Sequence, residues 1–237
     1  MPLDLLNARH AEAAPEEILR AALADARLGP LALVSSFGAE SVVLLDMVAR
    51  IAPDTPVIFL DTEMLFEETL AYQRALATRL QLTDIRVIRP DRAEVMAEDV
   101  DGLLHLADTE ACCRLRKARP LERALDGFGG WITGRKRYQG GARTRLPVFE
   151  RDGARVKINP LAGWQAADLA TYIEARNLPR HPLVAQGYPS IGCRPCTSRA
   201  GHGEDPRAGR WRGQEKTECG IHFPQARAAE RVERTGT

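Results

Sequence analysis

The chain has 237 residues, room for one generous domain with an appended tail, and 44% of them are hydrophobic, enough for a real core. Charged residues make up 27%, and no apolar run reaches about 18 residues, which excludes a membrane-spanning helix. The acidic start, MPLDLLNARHAEAAPEE, does not read as a secretory signal, so a cytoplasmic location is expected, where clustered cysteines serve as metal ligands or catalysts more often than as disulfides.

In chain order, residues 1–14 are expected to be disordered. PEEILRAALADAR (15–27) reads as a helix with Pro15 near its start. LALV (31–34) is a buried strand ending in SSFGAE, and SVVLLDMVARI, from Ser41, has helical length without breakers. TPVIFLDT (55–62) gives a second strand. Residues 64–80 give a helix, with Leu65, Thr69, Tyr72, Leu76 and Leu80 at helical spacing, and IRVI (85–88) a third strand. Residues 92–108 are helical or irregular, and 110–126 form a helix that starts near Cys112-Cys113. WIT is a strand running into a basic, Gly-rich loop (134–145). LPVFE and RVKINP are strands around a turn at Asp152-Gly153, and QAADLATYIEARN is an amphipathic helix. From about Pro179 the chain is rich in Pro, Gly, Cys and Arg and loses periodicity. Strands alternating with helices predict an α/β fold: a mostly parallel central sheet with helices on both faces.

The net charge of +1 conceals an uneven distribution. Residues 1–111 carry 9 basic and 20 acidic side chains, and residues 112–157 carry 13 and 4. A basic block of this kind suits a small polyanion, or equally a solvated helix face. It has few aromatics on which bases would stack, which argues against nucleic acid.

Open α/β sheets bind ligands at the carboxyl ends of their strands. The first strand ends in Ser35-Ser36-Phe37-Gly38-Ala39-Glu40 and a helix follows directly, so hydroxyls and free N–H groups offer an anion site. This is neither a P-loop nor GxGxxG, and an ordinary capped turn explains it as readily. Asp61-Thr62 stands at the same rim.

Five cysteines divide as four plus one. Cys112 and Cys113 are adjacent, and Cys193 and Cys196 form a CxxC after 79 intervening residues. Four soft thiolates suit an iron–sulfur cluster or zinc, and buried unliganded thiols remain an alternative. Cys219 has no cysteine partner left. It stands in Lys216-Thr217-Glu218-Cys219-Gly220-Ile221-His222, whose cationic groups would lower a thiol pKa and make it a nucleophile, and whose Gly220 and polar neighbours point to an exposed segment.

SSFGAE, LDT, CCRLRK, WITGRKR, HPL, GYPSIGCRPCT, RAGRW and ECGIH occur in this order between about residue 30 and residue 223, and the chain thereby resembles the assimilatory adenylyl-sulfate reductases. The resemblance implies an adenine nucleotide alpha-hydrolase fold related to ATP pyrophosphatases. Residues 1–192 would form the nucleotide-binding domain, and 193–237 the segment with cluster ligands and catalytic tail. Cys112, Cys113, Cys193 and Cys196 would hold a [4Fe–4S] cluster, with Lys117 between cluster and substrate. Ser35, Ser36, Gly38 and Glu40 would hold the phosphosulfate, with Asp61 and Thr62 beside them. Gly134, Arg135, Lys136 and Arg137 would form a basic substrate loop, and Arg207 and Arg210 would precede the catalytic tail. Cys219 would be the nucleophile and His222 a catalytic neighbour. Two departures stand out: the family often reads LDTG where this chain has Asp61-Thr62-Glu63, and R-R-D-Q-S where it has Lys136-Arg137-Tyr138-Gln139-Gly140.

The implied reaction converts adenosine 5′-phosphosulfate to sulfite and AMP through an S-sulfocysteine, with thioredoxin or glutaredoxin as the thiol donor and no nucleic-acid or membrane partner. Reductases of the 3′-phosphorylated nucleotide share the fold but lack the two cysteine pairs. Such a reductase, or an enzyme accepting both nucleotides, is the alternative; a non-enzymatic iron–sulfur or zinc sensor is the distant one. The sequence sets no oligomeric state, a homo-oligomer included.

Overall fold

The structure is a computed structural model that describes residues 2–214 and 216–222. The end of the expected catalytic segment, residues 223–237, lies outside the described residues. The first departure from expectation is at the start, where Leu3–Arg9 forms a helix, α1. Asn7 explains its order: its side-chain amide donates to the Phe149 carbonyl and accepts from the Phe149 N–H, both at 2.8 Å. An edge strand leaves such groups unpaired, and α1 covers them.

Then follow α2 (Pro15–Ala24), β1 (Leu31–Ser35), α3 (Ser41–Ile51), β2 (Val57–Leu60), α4 (Glu67–Arg79) and β3 (Ile85–Ile88). α4 begins later than its apolar spacing suggests. The Asp61 carboxylate and the Thr62 hydroxyl accept from the Glu63 and Met64 N–H groups, and Leu65 pairs with Cys193, so residues 61–66 are committed to a loop. Next come α5 (Arg92–Glu98), α6 (Leu104–Ala107), α7 (Thr109–Cys113), a π-helical turn (Arg114–Ala118) and α8 (Arg119–Ala124). The single helix expected over 110–126 is thus interrupted just after the cysteine pair, and π-turns of this kind cluster at functional sites. β4 (Gly130–Ile132), β5 (Phe149–Asp152), β6 (Arg155–Ile158) and α9 (Ala166–Ala175) complete the regular elements.

The six strands form one sheet of order β3-β2-β1-β4-β6-β5. All neighbours are parallel except the β5–β6 hairpin. Alternation along β1 sends Leu31 and Leu33 to a core shared with α2, α3 and α9, and Ala32 to a second core shared with Ile58, Trp131 and the α8 region through Leu121 and Leu125. The chain builds outward from β1 through β2 and β3, then returns to place β4 on the other side of β1. Strand order reverses there, and the crevice beyond the ends of β1 and β4 is where such folds place ligands. Among the described residues, no helix is long and apolar enough to cross a membrane.

Candidate active site

Phe37 gives the loop after β1 its shape. Its ring is buried edge-on against Phe59, with centroids 5.1 Å apart, while its backbone takes a φ of 48°. A left-handed residue other than glycine costs roughly 1–2 kcal/mol, which the buried ring offsets. With Phe37 turned into the core, Ser36 is left exposed. The Ser35 hydroxyl accepts from the Phe37 N–H at 3.2 Å, and the Ser41 hydroxyl from the Gly38 N–H at 3.0 Å.

Ser35, Ser36, Gly38, Glu40 and Thr62 line one cavity of about 240 Å³, together with Lys117, Gly134, Arg135, Lys136, Cys193, Arg207, Arg210, Cys219 and His222. Two expected substrate residues do not line it. Asp61 is occupied by turning the loop and by an ion pair with Arg89 at 2.9 Å, and Arg137 bonds the Leu146 carbonyl at 2.8 Å. Both hold loops rather than face the cavity. Lys136, nearly buried, donates to Glu40 at 2.5 Å; burial lowers its pKa, and the Glu40 charge works the other way.

The cysteine pair ends α7. Adjacent helical residues point roughly 100° apart, so the two thiols face different neighbours. Cys112 faces Cys193 and Cys196, and burial together with their negative charge as thiolates pushes its thiol up to about 11. Cys113 instead shares a hydrogen bond with Cys219. The CxxC loop is held by the Leu65–Cys193 bridge, by the Arg194 N–H on the Met64 carbonyl at 2.8 Å, and by the Thr62 hydroxyl 3.2 Å from the Cys193 sulfur. The Arg210 guanidinium crosses Gly192 so closely that a Cβ there would make the end of that side chain shift. No cysteine is in a disulfide.

Arg116, in the π-helical turn, joins the two halves of the cysteine set. Its guanidinium is buried, donates twice to Asp99 at 2.8 and 2.9 Å, and donates to the Thr62 carbonyl at 3.1 Å. One residue, Thr62, therefore touches Cys193 through its hydroxyl and the cysteine-pair helix through its carbonyl.

Lys117 lies half-buried beside these thiols. Burial alone would lower its pKa, but the charges of Cys193, Cys219 and Cys113 as thiolates outweigh that and raise it, so the ammonium is retained. The hydrogen bond from Cys113 holds Cys219 well below the ordinary thiol range; Lys117, the Ile221 N–H and Arg210 add to this against the effect of burial. The segment around Cys219 is more enclosed than its composition suggests. Glu218 is buried, takes two bonds from Arg143 at 2.5 Å, and accepts from the Cys219 N–H at 3.0 Å. Ile221 packs on the second core, and the His222 ring stacks on Trp131 at 5.8 Å with the planes 8° apart. Burial, then Arg135, Arg143, Lys157 and Arg207, press His222 well below its usual pKa, so it is a neutral imidazole and not the cation expected beside Cys219.

Residues 30–199 match the family model of the phosphoadenosine phosphosulfate reductase domain. The chain is 51% identical over 218 residues to an adenosine 5′-phosphosulfate reductase of Mesorhizobium japonicum, covering 92% of this chain and 86% of that protein. It is 40% identical over 225 residues to a phosphoadenosine 5′-phosphosulfate reductase of Gloeobacter violaceus, covering 93% of each. The chain belongs to the phosphoadenosine phosphosulfate reductase domain family. A solved phosphoadenylyl-sulfate reductase of Candida auris, in complex with phosphate, superposes with a TM-score of 0.71 at 30% identity, covering 82% of this chain and 95% of that one. An FMN adenylyltransferase of Candida glabrata, at a TM-score of 0.57 and 14% identity over 97% of this chain and 86% of its own, shares the fold alone.

Within this reductase family, the chain's two departures now have a physical reading. Glu63 has a φ of 60°, the conformation that suits the glycine of LDTG, and its carboxylate lies 3.5 Å from Arg116. The Tyr138 hydroxyl donates to Glu40, which also receives Gln139 at 3.2 Å, so Tyr138 belongs to the packing of the loop after β1. Sequence reasoning missed Arg116, Arg143, Glu218 and Trp131. Arg116 was visible inside CCRLRK, one helical turn beyond Cys113, and Glu218 inside ECGIH. Nothing local marks Arg143 or Trp131, whose partners are distant in sequence.

Proposed function

We propose that the chain reduces adenosine 5′-phosphosulfate to sulfite and AMP, with Cys219 as nucleophile. The observation that carries this reading is one cavity lined by the Ser35–Glu40 anion loop, by Cys219, and by the cations Lys117, Arg207 and Arg210. The 51% identity to an adenosine 5′-phosphosulfate reductase supports the substrate.

The Cys219 thiolate attacks the sulfur of the sulfuryl group. The bond from that sulfur to the bridging phosphate oxygen breaks, AMP leaves with the electron pair, and Cys219 keeps the sulfite group as an S-sulfocysteine. A dithiol of the thioredoxin or glutaredoxin type then attacks the Cys219 sulfur, releases sulfite, and on closing its own disulfide returns the Cys219 thiol. Attack of a thiolate on a substrate bearing phosphate and sulfate opposes like charges, about 4 kcal/mol per pair at 4 Å and an effective dielectric of 20. Lys117, Arg207 and Arg210 line the cavity and offset this repulsion.

The donor set of Cys112, Cys113, Cys193 and Cys196 fits a [4Fe–4S] cluster. The fit is one of donor chemistry: four soft thiols, none in a disulfide, come from two segments, and burial with the neighbouring thiols disfavours the thiolate forms of Cys112 and Cys196 unless a cationic group joins them. Cys113, however, is turned toward Cys219, and no three of these side chains are gathered closely enough, among the described residues, to hold a single metal ion. When bound, that group would fix the cysteine segments relative to one another.

Cys219→Ser should keep nucleotide affinity and form no S-sulfocysteine by mass spectrometry; sulfite release at the wild-type rate would sink the reading. The 40% identity to a phosphoadenosine 5′-phosphosulfate reductase favours a second reading, in which the 3′-phosphorylated nucleotide is also a substrate. The ratio of kcat/KM on the two nucleotides decides between them.

A further inference from the structure

Resting on the proposed role of Cys219, we infer that Arg143 is a positioning residue that seats the nucleophile through Glu218. Arg143 lies in a short 3-10 turn between β4 and β5, 75 residues from Glu218 in sequence, and nothing in the motifs of the chain singles it out. Its guanidinium meets the Glu218 carboxylate face to face, Nε to Oε2 and Nη2 to Oε1, each at 2.5 Å. Both side chains are buried, Arg143 to 8% exposure and Glu218 to 5%. Paired forks of this kind fix direction as well as distance. The Glu218 oxygen that takes Nη2 also accepts the backbone N–H of Cys219 at 3.0 Å, so the arginine acts on the nucleophile's own peptide through a single intervening carboxylate.

The seat extends in the other direction. Arg143 Nη1 donates to the Gln139 side-chain oxygen, and the Gln139 amide donates to Glu40 at 3.2 Å, at the end of the anion loop. An unbroken line of polar contacts thus runs from Glu40 through Gln139, Arg143 and Glu218 to Cys219. In the low dielectric between them, removing Arg143 leaves the buried Glu218 carboxylate with only the longer Arg207 contact at 4.0 Å, which is more costly than losing an exposed pair. Arg143 is therefore placed to hold Cys219 at a fixed distance from whatever the anion loop binds.

The experiment follows tryptic cleavage after Lys216 in the holoenzyme, by mass spectrometry, with and without AMP, alongside steady-state kinetics. Arg143→Met and Glu218→Gln should each raise ligand-free cleavage about tenfold or more, and should lower kcat while KM moves less than about threefold. Gln139→Leu should shift cleavage the same way by less. Reversing the pair, Arg143→Glu with Glu218→Arg, should recover part of the protection, which a variant that had merely unfolded would not. Wild-type cleavage in both single variants would overturn the inference. So would a raised KM at unchanged kcat, since Arg143 would then be a substrate contact. If AMP protects nothing and no S-sulfocysteine forms in the wild type, the proposed activity fails, while the ligand-free cleavage rates still test the seat.

Discussion

At the residue scale, the site works by placing one ammonium among several sulfurs. Lys117 reaches Cys113, Cys193 and Cys219 electrostatically. Lys117→Met keeps the length of the side chain and removes its charge. Turnover should fall by about two orders of magnitude, in the range seen when a single charge-stabilising donor is lost, while iron and sulfide per chain stay constant. Unchanged kinetics would remove Lys117 from the chemistry. Lys117 was readable only through the family resemblance, by its place four residues beyond Cys113. Arg137 and Asp61 misled: their neighbours in sequence line the cavity, but each side chain is spent on a loop contact that only the folded chain reveals.

At the element scale, the decisive piece is the interrupted helix from Thr109 to Ala124. Its π-helical turn carries Arg116 onto Asp99 at the end of α5 and onto the Thr62 carbonyl. Arg116 and Asp99 are 5% and 3% exposed, so removing one partner leaves an uncompensated buried charge. Arg116→Met should destabilise the chain by about 3–5 kcal/mol, measured as a lowered urea midpoint, and an unchanged midpoint would refute the pairing as a stabilising element. Asp99→Asn, which also loses a charge but keeps the acceptor for the Leu104 N–H, should cost less. All six strands were legible from period and apolar runs, because strand burial is a local pattern. The interruption was not read, although Pro120 in CCRLRKARP, which lacks an N–H and crowds the carbonyl of Arg116, was its local sign. α1 was also missed: its order rests on the Asn7–Phe149 pairing, 142 residues apart.

At the scale of the whole molecule, the HPL segment anchors the C-terminal third onto α4. His181 is buried, its Nδ1 accepts the Leu183 N–H at 3.2 Å, and the proton therefore sits on Nε2, which donates to the Thr69 hydroxyl at 3.0 Å. Burial lowers its pKa to about 4. An unfolded histidine titrates near 6.5, so the unfolded chain takes up this proton first as pH falls. The stability from neutral His181 is thus full above about pH 6.5 and is lost progressively down to about pH 4, by at most about 3 kcal/mol. The urea midpoint should fall over that interval, and His181→Gln should flatten that part of the profile; an equal slope in the variant would assign the loss elsewhere.

The stack of His222 on Trp131 has one more consequence. Trp131 is 1% exposed, lies under an imidazole, has Lys157 4.6 Å from its ring centre, and gives its N–H to Asp152 at 2.7 Å. Its indole therefore sits in a dry, strongly polarised setting, one face of which the tail supplies through His222. Displacing His222 would strip away that face and admit water. With Trp164 and Trp211 replaced by phenylalanine, the colour and yield of the remaining tryptophan's ultraviolet emission would therefore register any displacement of His222, and with it of the nucleophile three residues away.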